Sequence, residues 1–398
     1  MTVRASHRLA PSMSVRPTEP RVALVHDFLL DVRGAERVFM ALCDEFPQAD
    51  LFTAVYDEKG TDGRFAGRKV NTSFLQRFHP TARNFRALLP LYPYAIEAMD
   101  LRGYDVVLSS SSAWAHGAIP DENAVHVCYC HNPFRYAWSE REATLAARRA
   151  PMRALLGLVF QRWRQWDWIA AQRVDAYIAN SLTTERRIQR YFHRDSEVIY
   201  PPVETSRFAP GVVGDSYLML GELMAHKRIE IAIRAFNELR LPLIIVGNGP
   251  DARRLKRLAG PTIRFEGRVS DERAAELLAA AKALVVTATE EFGIAAVEAQ
   301  AAGRPVIALA EGGVRETVLD GETGVFYDEN TVEALVEAVR GFDPMEIDPL
   351  ACVRNAERFD VARFRTAMRR VVEEQLAADR QSRGDRHPGR ARGLALAS

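Results

Sequence analysis

Residues Thr287 to Ala308 read TATEEFGIAAVEAQAAGRPVIA. The apolar run ALVVTA that leads into them has the length and branching of a buried strand. The chain then turns through Thr289-Glu290-Glu291-Phe292, enters a helix near Gly293, and leaves it at Gly303-Arg304-Pro305. A helix opened by a glycine directly after a strand points unpaired N–H groups and a positive dipole end at that spot, an arrangement suited to an anion. Gly293 adds room for a ligand to approach the backbone. Glu290 stands before the helix and Glu298 about a turn and a half into it. At roughly 1.5 Å of rise per residue the two carboxylates bracket an elongated ligand rather than a single atom. A carboxylate is also a two-point acceptor for neighbouring hydroxyls. Taken alone, the same residues also suit a plain reading: first-turn acids favouring the dipole, and a solvated face.

Similar junctions recur on both sides of this stretch. VGNGPDARRL (246–255) is a strand-to-helix turn with Gly247 and Gly249, and GELMAHKRIE (221–230) places Lys227 and Arg228 just before a helix. Far upstream, LLDVRGAER (29–37) repeats the design with Gly34. Short apolar runs alternate with amphipathic segments throughout, which predicts parallel sheets covered by helices. Pro201, Pro202 and Pro210 interrupt the pattern near Tyr200 and read as a linker. The expected organisation is a tail over 1–20, a first α/β domain over 21–202, a second over 203–350, a helix over 351–378 packing back on the first domain, and a second tail over 379–398. The fold class is α/β, with two Rossmann-like β/α/β domains facing one cleft.

The bulk properties fit that picture. A chain of 398 residues is about twice a usual domain. A hydrophobic fraction of 47% and a charged fraction of 26% are those of a globular protein, and a net charge of +1 argues against a nucleic-acid partner. Four cysteines are few for the length and suggest a reducing compartment. The C-x-C of HVCYCHN (126–132) lacks a second ligand cluster, so no metal is expected. No apolar run of signal-peptide or membrane-spanning length occurs, and a cytoplasmic location is expected.

These motifs together resemble the retaining glycosyltransferases of family 4, which have the GT-B fold. The likeness rests on the E-x7-E pattern Glu290…Glu298, KRIEIAIRAFN, VGNGP, FEGRVSD, EAQAAGRPVIA and GGVRETVLDGETGVFY. In the first half it rests on RGAERV, SSSSAWAHG, CYCHNPFRYAW, IANS and VIYPPVE. The first-half motifs are most similar to the mannosyltransferase branch of O-antigen and exopolysaccharide pathways. The resemblance runs from about Arg21 to Phe364.

Residue by residue, the resemblance implies that Glu290 contacts the donor hexose and that Glu298 binds the ribose hydroxyls. Backbone amides of Phe292, Gly293 and Ile294 hold the sugar and diphosphate, and Lys227, with Arg228, neutralises the leaving diphosphate. Gly34, Gly247 and Gly249 would give the donor access to backbone. His116 would lie by the reacting sugar, and His131 and Arg135 would line the acceptor side; a structural role for both histidines fits the residues too. Two positions depart from the pattern: Glu222 stands where relatives often carry an arginine on the phosphates, and Arg33 stands where a second glycine is commoner.

The implied donor is GDP-mannose, with UDP-glucose as the alternative, and no metal or other cofactor is required. The implied acceptor is a lipid-linked or oligosaccharide precursor. The arginine- and aromatic-rich segment from Arg148 to Arg173 suits either peripheral contact with the cytoplasmic membrane face or packing on the first domain. A nucleotide-sugar epimerase of the same fold and a non-catalytic nucleotide-sugar-binding module are the rival classes. A nicotinamide enzyme is disfavoured, because no G-x-G-x-x-G follows the first strand.

Overall fold

A computed structural model describes residues 19–386. The first domain contains β1 (Val22–His26), α1 (Gly34–Glu45), β2 (Asp50–Thr53), β3 (Val70–Thr72), α2 (Tyr92–Glu97), β4 (Val106–Ser111) and β5 (Val125–Cys130). It continues with α3 (Arg141–Ala146), α4 (Ala150–Ala171), β6 (Ala176–Ala179), α5 (Leu182–Phe192) and β7 (Ser196–Val198). Its seven strands are parallel in the order β3-β2-β1-β4-β5-β6-β7.

The second domain opens with β8 (Tyr217–Leu220), α6 (Ile229–Leu239), β9 (Leu243–Val246), α7 (Ala252–Leu258), β10 (Ile263–Gly267) and α8 (Asp271–Ala280). Then come β11 (Leu284–Val286), α9 (Ile294–Ala301), β12 (Val306–Leu309), α10 (Val314–Thr317), β13 (Gly324–Tyr327) and α11 (Val332–Gly341). Its six parallel strands run β10-β9-β8-β11-β12-β13. Two last helices follow, α12 (Pro349–Ala356) and α13 (Val361–Arg386).

Both sheets are doubly wound, and strand periodicity assigns the cores. Val22 and Leu24 of β1 enter one core with Leu108 and Val127, while Ala23 and Val25 enter the other with Val107 and Trp114. Tyr217 and Met219 of β8 are likewise separated from Leu218. Each sheet reverses its winding at one crevice, between β1 and β4 and between β8 and β11, where such sheets bind ligands beyond the strand carboxyl ends.

The proline-rich segment between the domains is packed along its first residues. Tyr200 and Val203 pack with Phe292, Val297 and Phe359, and Val203 pairs with the returning chain (Val203 N to Phe359 O 2.9 Å, Val361 N to Val203 O 3.1 Å). The outgoing and returning strands of the crossover thus lie side by side. From there α13 places Phe364, Met368, Val371, Val372 and Leu376 in the first-domain core. It continues to Arg386, past the expected end at residue 378. The reason is local: Arg383 pairs with Asp379 one turn back at 2.9 Å and donates to Asn123 at 2.7 Å, which ties the extra turns to the first domain. The remainder of the two expected tails, 1–18 and 387–398, lies outside the described residues.

Candidate functional site

Glu290 leaves the carboxyl end of β11 and Lys227 ends the short 3₁₀ turn Ala225–Lys227 after β8, so the crevice of the second sheet brings them together. Lys227 Nζ donates to both carboxylate oxygens of Glu290, at 2.6 and 2.7 Å. Thr287 Oγ1 donates to the Lys227 carbonyl at 2.8 Å and fixes the two turns relative to each other. On the other side, Gly313 N donates to Glu290 O at 2.7 Å. A Cβ on Gly312, whose φ is +75°, would stand 2.2 Å from that same carbonyl. The Gly312-Gly313 pair therefore holds the Glu290 segment in place. Lys227 and Glu290 are about a quarter exposed (26% and 22% of their side chains), so their pairing contributes at most about 1 kcal/mol and is open to exchange with a ligand.

The neighbouring carboxylate reaches the other domain. Glu291 accepts from Arg135 at 3.3 Å and Arg187 at 3.5 Å, and Arg187 also donates to Asn132 at 2.8 Å. Burial works against ionising Glu291, but Arg135, Arg187 and Lys227 outweigh it and hold the carboxyl below its ordinary range. Arg135 also pairs with Glu140 at 3.3 Å.

Gly293 caps α9 with a φ of +93°, which glycine adopts without strain. Ile294 then meets Gly34, the first residue of α1, so closely that a Cβ there would lie 3.2 Å from Ile294 Cδ1. Two helix N-termini, one from each domain, thus face one another across the cleft. Glu298 lies further along α9, and burial raises its carboxyl above the ordinary range against the charges of Arg37 and Arg207. Arg37, one turn into α1, donates to Asp271 at 2.6 Å. Phe292 contributes no side chain to the cleft surface: its buried ring packs on Tyr200 and Phe359.

Several expected residues also have structural surroundings of their own. Gly247 and Gly249 answer to neighbouring strands. A Cβ on Gly247 would strike Gly221 O at 1.8 Å and one on Gly249 would strike Leu223 O at 2.4 Å. The loops after β8 and β9 are packed backbone to backbone, which leaves no room for a side chain at either position. Arg228 is exposed and holds a left-handed backbone (φ +53°) between the 3₁₀ turn and α6. His131 is buried at the end of β5, its Nε2 2.8 Å from Ser110 Oγ, with burial and nearby His26 pushing its pKa down to about 3.

His116 is also an interior residue. Its partners, Ser111 (3.1 Å to Nδ1), Asp167 (3.3 Å to Nε2), Trp166 and Phe192, all belong to the first domain. The short turn that carries His116 packs against α4 through Trp166 and the Asp167 carbonyl.

That turn has an anchor not anticipated from sequence. Asp27, buried at the end of β1, accepts backbone N–H bonds from Ser112, Ala113, Trp114 and Ala115 at 2.6, 3.1, 2.7 and 2.6 Å. The only sequence signal is an acid directly after the apolar run VALVH, where a solvated turn is the ordinary reading. The arginine-rich segment is resolved as well. Phe160 and Trp163 of α4 are buried against the first domain and Trp166 is half-buried, while Met152, Leu155, Leu158, Trp168 and Ile169 are exposed. Among the described residues, no helix is long and apolar enough to cross a membrane.

Two switch-point crevices facing each other define a GT-B α/β protein. The chain spans two family models: residues 32–207 match "Glycosyltransferase Family 4" and residues 212–359 match "Glycosyl transferases group 1". The first half is thus a glycosyltransferase family 4 domain and the second a glycosyltransferase group 1 domain. Among curated relatives, a D-inositol 3-phosphate glycosyltransferase from Nocardioides sp. is 30% identical over 208 residues, covering 42% of this chain and 45% of that protein. A GDP-mannose-dependent alpha-(1-6)-phosphatidylinositol monomannoside mannosyltransferase from Mycolicibacterium smegmatis is 31% identical over 220 residues, covering 47% and 57%. The chain spans about half the length of the curated relatives it matches. In solved structures the fold is shared with Anabaena HepE bound to UDP and glucose (TM-score 0.68, 17% identity, 89% of this chain and 100% of that one). It is also shared with sucrose-phosphate synthase from Thermosynechococcus elongatus (TM-score 0.71, 20% identity, 90% and 100%).

The buried Asp167–His116 pair makes a pH prediction. Burial pushes Asp167 up to about 8 and His116 down to about 4, so at neutral pH both are uncharged, while Trp138 Nε1 donates to Asp167 at 2.6 Å. Because Asp167 is raised in the folded state, its share of stability is complete below its unfolded pKa and is lost as pH rises towards 8. Histidines held low in the fold act in the opposite sense below about 6.5. In the window from pH 6.5 to 8 the decline therefore comes from the acids that burial raises, Asp167 together with Asp27 and Glu298. The Asp167→Asn protein, whose amide copies the protonated acid, is expected to lose less melting temperature across that window than the parent, the remaining decline coming from Asp27 and Glu298. Parallel decline of both proteins in thermal melts would contradict the assignment.

Proposed function

We propose that the chain is a retaining glycosyltransferase that moves a hexose from a nucleotide diphosphate sugar to an acceptor hydroxyl. The observation that carries this reading is the Lys227–Glu290 pair at the crevice of the second sheet, opposite the α1 N-terminus of the first domain. In this proposal the diphosphate takes Lys227 from Glu290. The released carboxylate then accepts hydroxyls of the hexose, and Glu298 accepts those of the ribose. The anomeric C–O bond to the phosphate breaks as the acceptor oxygen bonds from the same face. The acceptor proton passes to the departing phosphate oxygen. Lys227 stabilises charge that grows on the leaving group, and the two domains supply positioning and exclude water.

The favoured donor is GDP-mannose, supported by the name of the Mycolicibacterium relative and by the first-half motifs. UDP-glucose is the second reading, favoured by the UDP and glucose bound in the fold relative HepE. Thermal stabilisation by GDP-mannose, GDP, UDP-glucose and UDP discriminates the two, because a ligand at 100 times its Kd stabilises the fold by about 2.7 kcal/mol. A guanine-selective shift that is lost in Glu298→Ala is expected, together with a fall in kcat of about 10²–10³ in Lys227→Ala. A uridine-selective shift replaces the donor. The absence of a shift with every nucleotide would sink the reading.

The proposed acceptor is lipid-linked. One exposed face of α4 combines Leu155, Leu158 and Ile169 with Arg162, exposed Arg149, Met152 and Arg153 stand at its N-terminal end, and no acidic residue occurs between Glu142 and Asp167. An apolar and cationic face of this kind suits an anionic lipid surface. The protein is expected to co-sediment with vesicles containing anionic lipid, less so at high salt, and the Leu155→Asp/Leu158→Asp variant is expected to lose most of that binding. Equal binding of the variant, or indifference to lipid charge, would contradict the acceptor proposal.

A further inference from the structure

We infer that Arg33 is a first-domain ligand for the donor diphosphate, and that Glu222 is a built-in competitor which holds it when no donor is bound. This rests on the donor-site reading above.

The geometry places Arg33 at the mouth of the cleft. It is the N-cap of α1, and its backbone N–H is already satisfied by Glu36 at 3.0 Å, so the side chain is free to face outward from a fixed root. Its guanidinium crosses to the second domain, with one nitrogen 3.2 Å from Glu222 and another 3.3 Å from Asp31 of its own loop. Asp31 is in turn 3.2 Å from Arg268 of the second domain. Glu222 lies in the loop after β8 that leads to Lys227, and Gly34, the next residue after Arg33, touches Ile294 at the start of α9. Arg33 is therefore rooted between the two turns that carry Lys227 and Glu290.

The charges explain why the contact is provisional. The side chains of Arg33 and Glu222 are 44% and 33% exposed, and a pair so open to water adds little stability. A diphosphate offers more charge and several acceptor oxygens to a planar guanidinium, and so outcompetes one carboxylate. Glu222 by itself would repel a diphosphate from the Lys227 turn. Its pairing with Arg33 neutralises that repulsion, and transfer of Arg33 to the phosphate would pull the first domain onto the occupied site. Arg33 and Glu222 are also the two positions at which the chain departs from the family pattern, and they are partners.

Calorimetric titration of UDP, GDP and the corresponding nucleosides into the full chain tests this, with Arg33→Gln, Glu222→Gln and the double variant. Arg33→Gln is expected to weaken diphosphate binding roughly tenfold and to leave nucleoside binding unchanged. Glu222→Gln is expected to tighten diphosphate binding about two- to fivefold, and by less when Arg33 is already Gln, because only the repulsion and not the competition is then removed. Unchanged diphosphate affinity in Arg33→Gln, or equal tightening by Glu222→Gln with and without Arg33, would overturn the inference while leaving the donor reading intact. A parent that binds neither diphosphate would remove the donor reading and this inference with it.

Discussion

The structure turns on the contact between two strand-to-helix junctions, one from each domain. Gly34 opens α1 and Ile294 opens α9, and the space between them is one missing Cβ wide. Everything that converges on the cleft depends on that approach: Lys227 and Glu290 stand on one side of it, Arg33 and Arg37 on the other, and Glu298 further along α9. The parallel topology makes this possible, because it sends the carboxyl end of every strand in a domain to the same edge. Two such edges, turned towards each other by the crossover at Val203 and Val361, leave a cleft lined by loops and helix N-termini.

Charge is distributed in two ways that serve different ends. In the cleft the pairs are partly exposed and cross between turns or between domains: Lys227–Glu290, Arg33–Glu222, Arg135–Glu291 and Arg37–Asp271. Water screens them, so they hold the domains together loosely and yield to a better ligand. Inside the first domain the polar groups are fully buried and uncompromising. Asp27 gathers four backbone N–H groups of the turn after β4, and His116 Nε2 reaches the backbone carbonyl of Asp167 in α4 at 3.4 Å. Removing either would strand polar atoms in a dry interior, where they cost far more than an exposed pair is worth.

Much of the fold was legible because buried parallel strands leave unmistakable runs. VALVH, VVLSSS, VHVCYC and LIIV all became central strands. The short strands Asp50–Thr53, Val70–Thr72, Ser196–Val198 and Gly324–Tyr327 were not legible, since DLFT, VNT, SEV and GVFY lack the unbroken aliphatic run that made the equally short LIIV readable. Proline content marked a linker at Tyr200, but its burial was not legible, because packing against Phe292 and Phe359 is set by chain segments far away in sequence. At the site, Lys227 and Glu290 were found as isolated motif residues, whereas their pairing, and that of Arg33 with Glu222, needed three dimensions. His116 shows the converse. Its motif pointed to the cleft, but Trp166, Asp167 and Phe192, distant in sequence, enclose it.

The central claim is that the cleft holds a nucleotide diphosphate between Lys227 and the α9 N-terminus. A crystal structure of the protein with GDP or UDP tests it most directly. The account predicts phosphate oxygens within hydrogen-bond distance of Lys227 Nζ, the Lys227–Glu290 contact broken, and ribose hydroxyls on Glu298. A nucleotide seated elsewhere, for example in the cavity of about 340 Å³ lined by Tyr217, Lys282 and Arg340 at the amino ends of β8 and β11, with Lys227 still on Glu290, would contradict it.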